Sequence, residues 1–192
     1  MSWSKGLFGA TGVVVLVLGL MGTSWAFSVR YALYGRAKVV QVESSNLLKV
    51  KMLDRGSIAP IRLLGVGSPR NRDRIRHLSP EILLYIRKKD LWEISRDYVK
   101  SLLSKKVVEV WARKWDRYDD KHRLLAYISI PNRADAPLDL NGEIIKNGLG
   151  FVTRDYVHVT FASYRLLEEN ARKNHLGIWK GLSMSRLSSL KE

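Results

Sequence analysis

The sequence contains no cysteine. That excludes disulfides, thiol catalysis, thiolate zinc sites and iron–sulfur clusters together. It does not fix the compartment, because a cysteine-free chain survives in either redox state. Acidic residues are scarce as well. Over 192 residues, 18 Asp and Glu stand against 33 Lys and Arg, a formal charge of +15. Such an excess predicts a polyanionic neighbour: nucleic acid, an acidic lipid face or an acidic protein. Internal repeats and low-complexity stretches are absent. The histidines His77, His122, His158 and His175 are isolated along the chain, so no metal site is assigned and no cofactor is expected. With 46% hydrophobic and 27% charged residues, the chain can still bury a core. Its length allows one ordinary domain plus an appendage.

The appendage is at the front. Gly6 to Phe27 (GLFGATGVVVLVLGLMGTSWAF) is a run of 22 residues without a charge. As a helix it would reach roughly 30 Å, one hydrocarbon core. Trp25 sits near its end, where an interfacial aromatic belongs. A membrane anchor over 1–28 is the expectation, with 29–36 as a juxtamembrane linker. Two rivals stay open. One is a cleaved signal peptide using the basic start at Lys5 and Ser24-Trp25-Ala26. The other is a buried globular helix. Arg30, Arg36 and Lys38 follow the run, against Lys5 and the amino terminus before it. The positive-inside bias then puts the domain on the cytoplasmic or matrix side.

Beyond the run, no stretch is acidic. The densest basic stretch is RNRDRIR, with Arg70, Arg72, Arg74 and Arg76. Residues 37–43 and 46–53 read as strands. In the second, Leu48, Val50 and Met52 share one face, and Lys49 and Lys51 the other. Ser44-Ser45-Asn46 is the turn between them. Residues 59–66 form a third strand, completing a meander. Ser79-Pro80-Glu81 opens a helical stretch over 80–103, broken near Lys88–Glu93, with Leu91, Ile94, Tyr98 and Leu102 on its core face. Strands at 106–115 and 123–130 flank the polar turn 116–122. Asn141 is expected to cap a helix that Gly148 ends. A last helix over 162–175 turns Leu166, Leu167 and Ala171 inward. Gly177 closes it, and Ile178-Trp179 anchors the end. Residues 181–192 read as a loose tail. The order predicts an α+β domain over 37–180: a five-stranded OB-type barrel with about three helices. Trp111 and Trp115 alternate onto a mixed face suited to stacking bases, whereas Trp179 reads as core.

From Lys38 to Trp179 the chain resembles the staphylococcal nuclease (thermonuclease-like) family. Four motifs in order carry the resemblance. Ile61 to Pro69 (IRLLGVGSP) resembles R-L-x-G-I-D-T-P. Asp116-Arg117-Tyr118 followed by Arg123 to Tyr127 (RLLAY) resembles D-x-Y-G-R-x-L-A-Y. Leu140 to Gly150 (LNGEIIKNGLG) resembles V-N-x-x-L-V-x-x-G-L-A. Gly177-Ile178-Trp179 resembles the closing G-I-W. The resemblance implies the same barrel. It also implies phosphodiester cleavage with Ca²⁺, a carboxylate base and two arginines that clamp the phosphate.

Carried over position by position, the resemblance retains Arg62 and Arg123 as the phosphate or anion clamp, with Tyr118 beside them. It loses the carboxylates. Asn46 stands where a metal-binding aspartate is implied, Gly67 where the second is, and Arg70 where the catalytic glutamate is. Asp119-Asp120-Lys121-His122 replaces a single glycine before Arg123. Glu43, Asp54 and Asp73 are the acids that a shifted site would have to recruit. The expectation is a membrane-anchored domain without catalytic residues or metal, used for binding or assembly, and fitting an auxiliary subunit of a membrane complex. A membrane-tethered nucleic-acid-binding protein is the second reading, and an active phosphodiesterase with a shifted site the third. The basic loop and the two arginines leave nucleic acid or anionic lipid open as ligands.

Overall fold

The computed structural model describes residues 30–70, 78–132 and 135–182. The apolar run, Arg72, Asp73, Arg74, Arg76 and the tail from 183 lie outside the described residues. Among the described residues no helix is long and apolar enough to cross a membrane.

Eight strands form. They are β1 (Tyr31–Ser44), β2 (Leu47–Met52), β3 (Ile58–Leu63), β4 (Val66–Gly67), β5 (Val107–Arg113), β6 (Leu124–Ile130), β7 (Leu138–Asp139) and β8 (Phe151–Val152). The main sheet runs β3-β2-β1-β5-β6-β7, and a parallel pairing of β3 with β6 closes five of these strands into a barrel. β4 and β8 make a separate antiparallel pair. Four helices follow the expected places: α1 (Pro80–Lys88), α2 (Leu91–Leu103), α3 (Leu140–Lys146) and α4 (Phe161–Lys173). A single 3₁₀ turn, Gly177–Lys180, comes last.

The meander and both later strands lie where alternation puts them. The first strand starts earlier. Residues 31–36, expected as a linker, pair with β5 from Tyr31 opposite Arg113 onward. Tyr31 is buried and meets Tyr127 edge-on at 5.0 Å. The polar and glycine content of this segment hides the alternation. β1 bends at register shifts near Gly35, which lets one strand serve two neighbours.

The third strand stops before its expected end. Gly65 adopts φ +74°, and a Cβ there would strike the His158 imidazole. The chain therefore breaks stride and re-enters as β4. The break between α1 and α2 falls at Asp90, whose φ is +47°.

Two helix faces differ from the periodicity reading. On α2 the buried side is Leu91, Ser95, Val99 and Leu103, and Ile94 faces water. Ser95 fits there because its hydroxyl donates to the Leu91 carbonyl at 2.6 Å. On α4, Leu166 is exposed, while Tyr164, Glu168 and Ala171 are buried. The cap of α3 also differs. Asp139 is the cap, accepting the Asn141 amide at 3.1 Å. Asn141 itself is fully buried and ties the helix to the barrel. Its Oδ1 accepts from the Ile128 amide, and its Nδ2 donates to the Leu64 and Ala126 carbonyls.

The core has two parts. The barrel interior holds residues such as Val50, Ile61, Val110 and Ile128. A second cluster, Leu78, Ile82, Ile86, Phe151, Ala171, Ile178 and Trp179, clamps α1 and α4 to the β4–β8 pair. Gly148 and Gly177 make that closure possible: the Ile178 amide donates to the Gly148 carbonyl at 2.8 Å, and a Cβ on either glycine would overlap opposing backbone. Trp179 is core, as expected.

The early start of β1 has a measurable consequence. Tyr31→Ala should cost about 3 kcal/mol in equilibrium urea unfolding, the scale of deleting a buried aromatic. A linker residue at this position would leave the midpoint unchanged.

Candidate functional site

Arg62 sits at the fifth position of six on β3, opposite Leu47 on one side and Leu125 on the other. Arg123 precedes Leu125 by two residues, so alternation directs both arginines to the same side of the sheet. Arg123 lies one residue before β6, the parallel neighbour of β3, so the two arginines retained by the resemblance stand on neighbouring segments of the barrel.

Each guanidinium already holds a carboxylate. Arg62 is only 4% exposed, and its Nη2 donates to Asp155 Oδ2 at 3.1 Å. The Tyr156 ring lies 5.9 Å from it. Arg123 donates from Nε to Asp119 Oδ2 at 2.7 Å, and its Nη2 is 2.6 Å from the same oxygen. The other Asp119 oxygen accepts the backbone amides of Lys121 and Arg123. Burial pushes the Asp119 carboxyl up. The hydrogen bonds from the Arg123 side chain and backbone and from Lys121, with the Arg123 charge, outweigh it and hold the group below the usual aspartate value. Asp119 to His122, the four residues in place of the implied glycine, thus form a loop that folds back to supply its own counter-ion.

The three positions at which the resemblance implies carboxylates each make other contacts. Asn46 is buried in the β1–β2 turn. Its Oδ1 accepts the Ser44 hydroxyl at 2.9 Å, and its Nδ2 donates to the Val66 carbonyl at 2.8 Å. It staples the turn to β4. Gly67 pairs with Phe151, and a Cβ on Gly67 would overlap the Phe151 ring. The aromatic ring fills the space an aspartate would need. Arg70 reaches back to the Glu43 carbonyl at 3.2 Å, with its guanidinium 5.4 Å from the Trp92 ring.

These residues do not fit a calcium ion. Such a site needs several oxygen ligands, usually carboxylates. Here the set is one amide already in two hydrogen bonds, a glycine under a ring, and a cation. Two of the possible recruits are engaged, and the third, Asp73, lies outside the described residues. Glu43 pairs with Lys49 at 3.1 Å, and Asp54 accepts Arg55 at 3.0 Å. Among the described residues no three His, Asp or Glu side chains are grouped to hold a metal.

Tyr118 faces elsewhere. Its hydroxyl lies 3.4 Å from that of Tyr34, on β1, and Arg55 covers the Tyr34 ring at 4.5 Å. Trp111 is half-buried and Trp115 is exposed.

Sequence reasoning missed Asp155 and Phe151. Asp155 carried no local signal beyond being an acid next to Arg154, and nothing local marked the ring over Gly67. Both belong to a cleft of about 400 Å³ lined by Arg154, Phe161, Arg165, Glu168 and Arg172. Two of its arginines are committed to Glu168, at 3.1 and 3.6 Å. That buried carboxylate also accepts the Val152 amide.

The closed five-stranded barrel, the helix docked through a buried asparagine and the paired arginines define a nuclease-like barrel of the OB type. Residues 60–181 match the family described as Staphylococcal nuclease homologue, and the chain belongs to that family. No curated protein matches the chain.

Two outcomes follow for this site. Because the Asp119 carboxyl is lowered in the folded state, its stabilisation is present above its unfolded value of about 3.9 and is lost as pH falls through the lower folded value. Asp119→Asn should therefore lower stability at pH 7, and urea unfolding of the two proteins should converge in acid below both values. Separately, Gly67→Asp should destabilise by at least about 2 kcal/mol, since the ring must move, and should confer no calcium-dependent rise in melting temperature.

Proposed function

We propose that the protein is a membrane-anchored, non-catalytic nuclease-like domain that serves as a binding or assembly module, an auxiliary subunit of a membrane complex. The observation that carries this reading is the fate of the three carboxylate positions. An amide in two hydrogen bonds, a glycine beneath Phe151 and a surface arginine stand there. Loss of a general base alone costs about 10²–10⁴ in rate. Loss of the metal removes several kcal/mol more of transition-state stabilisation, on the order of what a Lewis acid supplies. The arginines no longer offer free forks to a phosphate, because Asp155 and Asp119 take them.

The anchor rests on the uncharged run from Gly6 to Phe27, long enough for one span. The basic residues after it favour the cytoplasmic or matrix face. With its chemistry gone, the basic domain retains a rigid barrel held beside a membrane, suited to docking against an acidic partner.

A second reading, a membrane-tethered nucleic-acid binder, is favoured by Arg70 lying by Trp92 at the head of the basic loop. Purification of the full-length chain in mild detergent separates the two. The assembly reading expects stoichiometric protein partners through size exclusion. A chain that elutes alone, and whose oligonucleotide affinity falls steeply with salt, contradicts it and supports the second.

A further inference from the structure

We propose that the rim of the barrel at the start of β1 rests on an anionic lipid surface, while Arg70 at the other end of β1 lies away from it. This builds on the anchor reading above and adds an orientation to it.

The first observation is the length of the tether. The apolar run ends at Phe27, and the first described residue is Arg30. Three peptide steps of 3.8 Å reach about 11 Å at most. β1 begins at the very next residue, Tyr31, with no slack before the barrel. Each headgroup layer is roughly 5–8 Å thick. A span ending at Phe27 would hold this rim within or just outside the headgroups, whichever way the barrel turns about its tether.

The second observation is what the rim presents there. Arg30, Tyr31, Arg113, Trp115 and Val157 line one shallow concavity. The Lys114 amide donates to the Arg30 carbonyl at 3.0 Å, and Arg117 Nε donates to the Lys114 carbonyl at 3.0 Å, so both cations belong to the same rim. Trp115 is 56% exposed and Val157 71%. The four cations Arg30, Arg113, Lys114 and Arg117 surround an exposed indole and an exposed valine, and of the acids in the following turn Asp116 is adjacent while Asp119 is paired with Arg123. An indole with nearby cations is the composition that settles at a headgroup boundary. Each basic residue at an anionic surface shifts the docked population about fivefold.

The third observation sets the other end. Arg70 holds the Glu43 carbonyl, at the opposite end of β1 from Arg30. Surface charges separated by more than about 8–10 Å from the lipid are screened at physiological salt. Arg70 is thereby left to aqueous partners, and the rim takes the lipid.

The absence of cysteine makes the test direct. Full-length single-cysteine proteins Trp25→Cys, Arg70→Cys and Val157→Cys, each carrying an environment-sensitive fluorophore, are reconstituted into vesicles. One set contains phosphatidylcholine alone and the other adds phosphatidylglycerol. The expected result is an apolar emission shift at 25 in both, a shift at 157 that grows with anionic lipid, and aqueous emission at 70. Adding Arg30→Glu and Lys114→Glu should return 157 to water and leave 25 unchanged. An apolar probe at 25 with an aqueous probe at 157 in both lipids overturns the rim inference and leaves the anchor standing. An aqueous probe at 25 overturns the anchor reading, and the rim inference falls with it. A shift at 157 that needs a co-purified protein also overturns the lipid assignment.

Discussion

A guanidinium taken out of water must keep a counter-charge, and this structure is arranged around two that do. Leaving a buried charge unpaired costs several kcal/mol, about 3–5 when a partner is removed. Arg62 is fixed on the strand that closes the barrel, so it cannot retreat to solvent without opening the β3–β6 pairing. In an enzyme of this family the implied substrate phosphate and metal make a charged environment for such an arginine. Here Asp155 lies against Arg62, and Asp119 against Arg123. The protein carries its own anions where a nuclease would take them from substrate.

The neighbouring changes cohere with that substitution. With Gly67 in place of a carboxylate, Phe151 packs over the β4–β8 pair and joins the cluster around Trp179. With Asn46 in place of another, the β1–β2 turn gains a neutral hydrogen-bonded staple to Val66. Each of these positions makes a packing or hydrogen-bonding contact that holds the scaffold. Asn46, Gly67 and Arg70, where the resemblance implies acids, contribute to the +15 balance.

Much of this fold was legible in the chain, for physical reasons that differ by element. β2 was clear because one face is buried and lysines mark the other. The α1–α2 break and the Gly148–Gly177 closure were legible because glycine and polar residues punctuate sharply. The early start of β1 was not, because Gly35 and Arg36 interrupt the alternation where the strand bends. The inward faces of α2 and α4 slipped because Ser95 and Glu168 are buried through hydrogen bonds and ion pairs that hydrophobicity does not register. At the site, the positions without the implied carboxylates could be read in order. Asp155, the counter-ion of Arg62, and the Phe151 ring over Gly67 come from a segment over eighty residues away and become visible only when β8 pairs with β4.

The central claim is that the arginine pair is internally neutralised and no longer serves cleavage. The most direct measurement is incubation of the full-length protein with single-stranded DNA and Ca²⁺, beside an Arg62→Ala variant shown to be folded. The account predicts no cleavage above background by either protein. Calcium-dependent cleavage by the natural sequence that Arg62→Ala abolishes would contradict it.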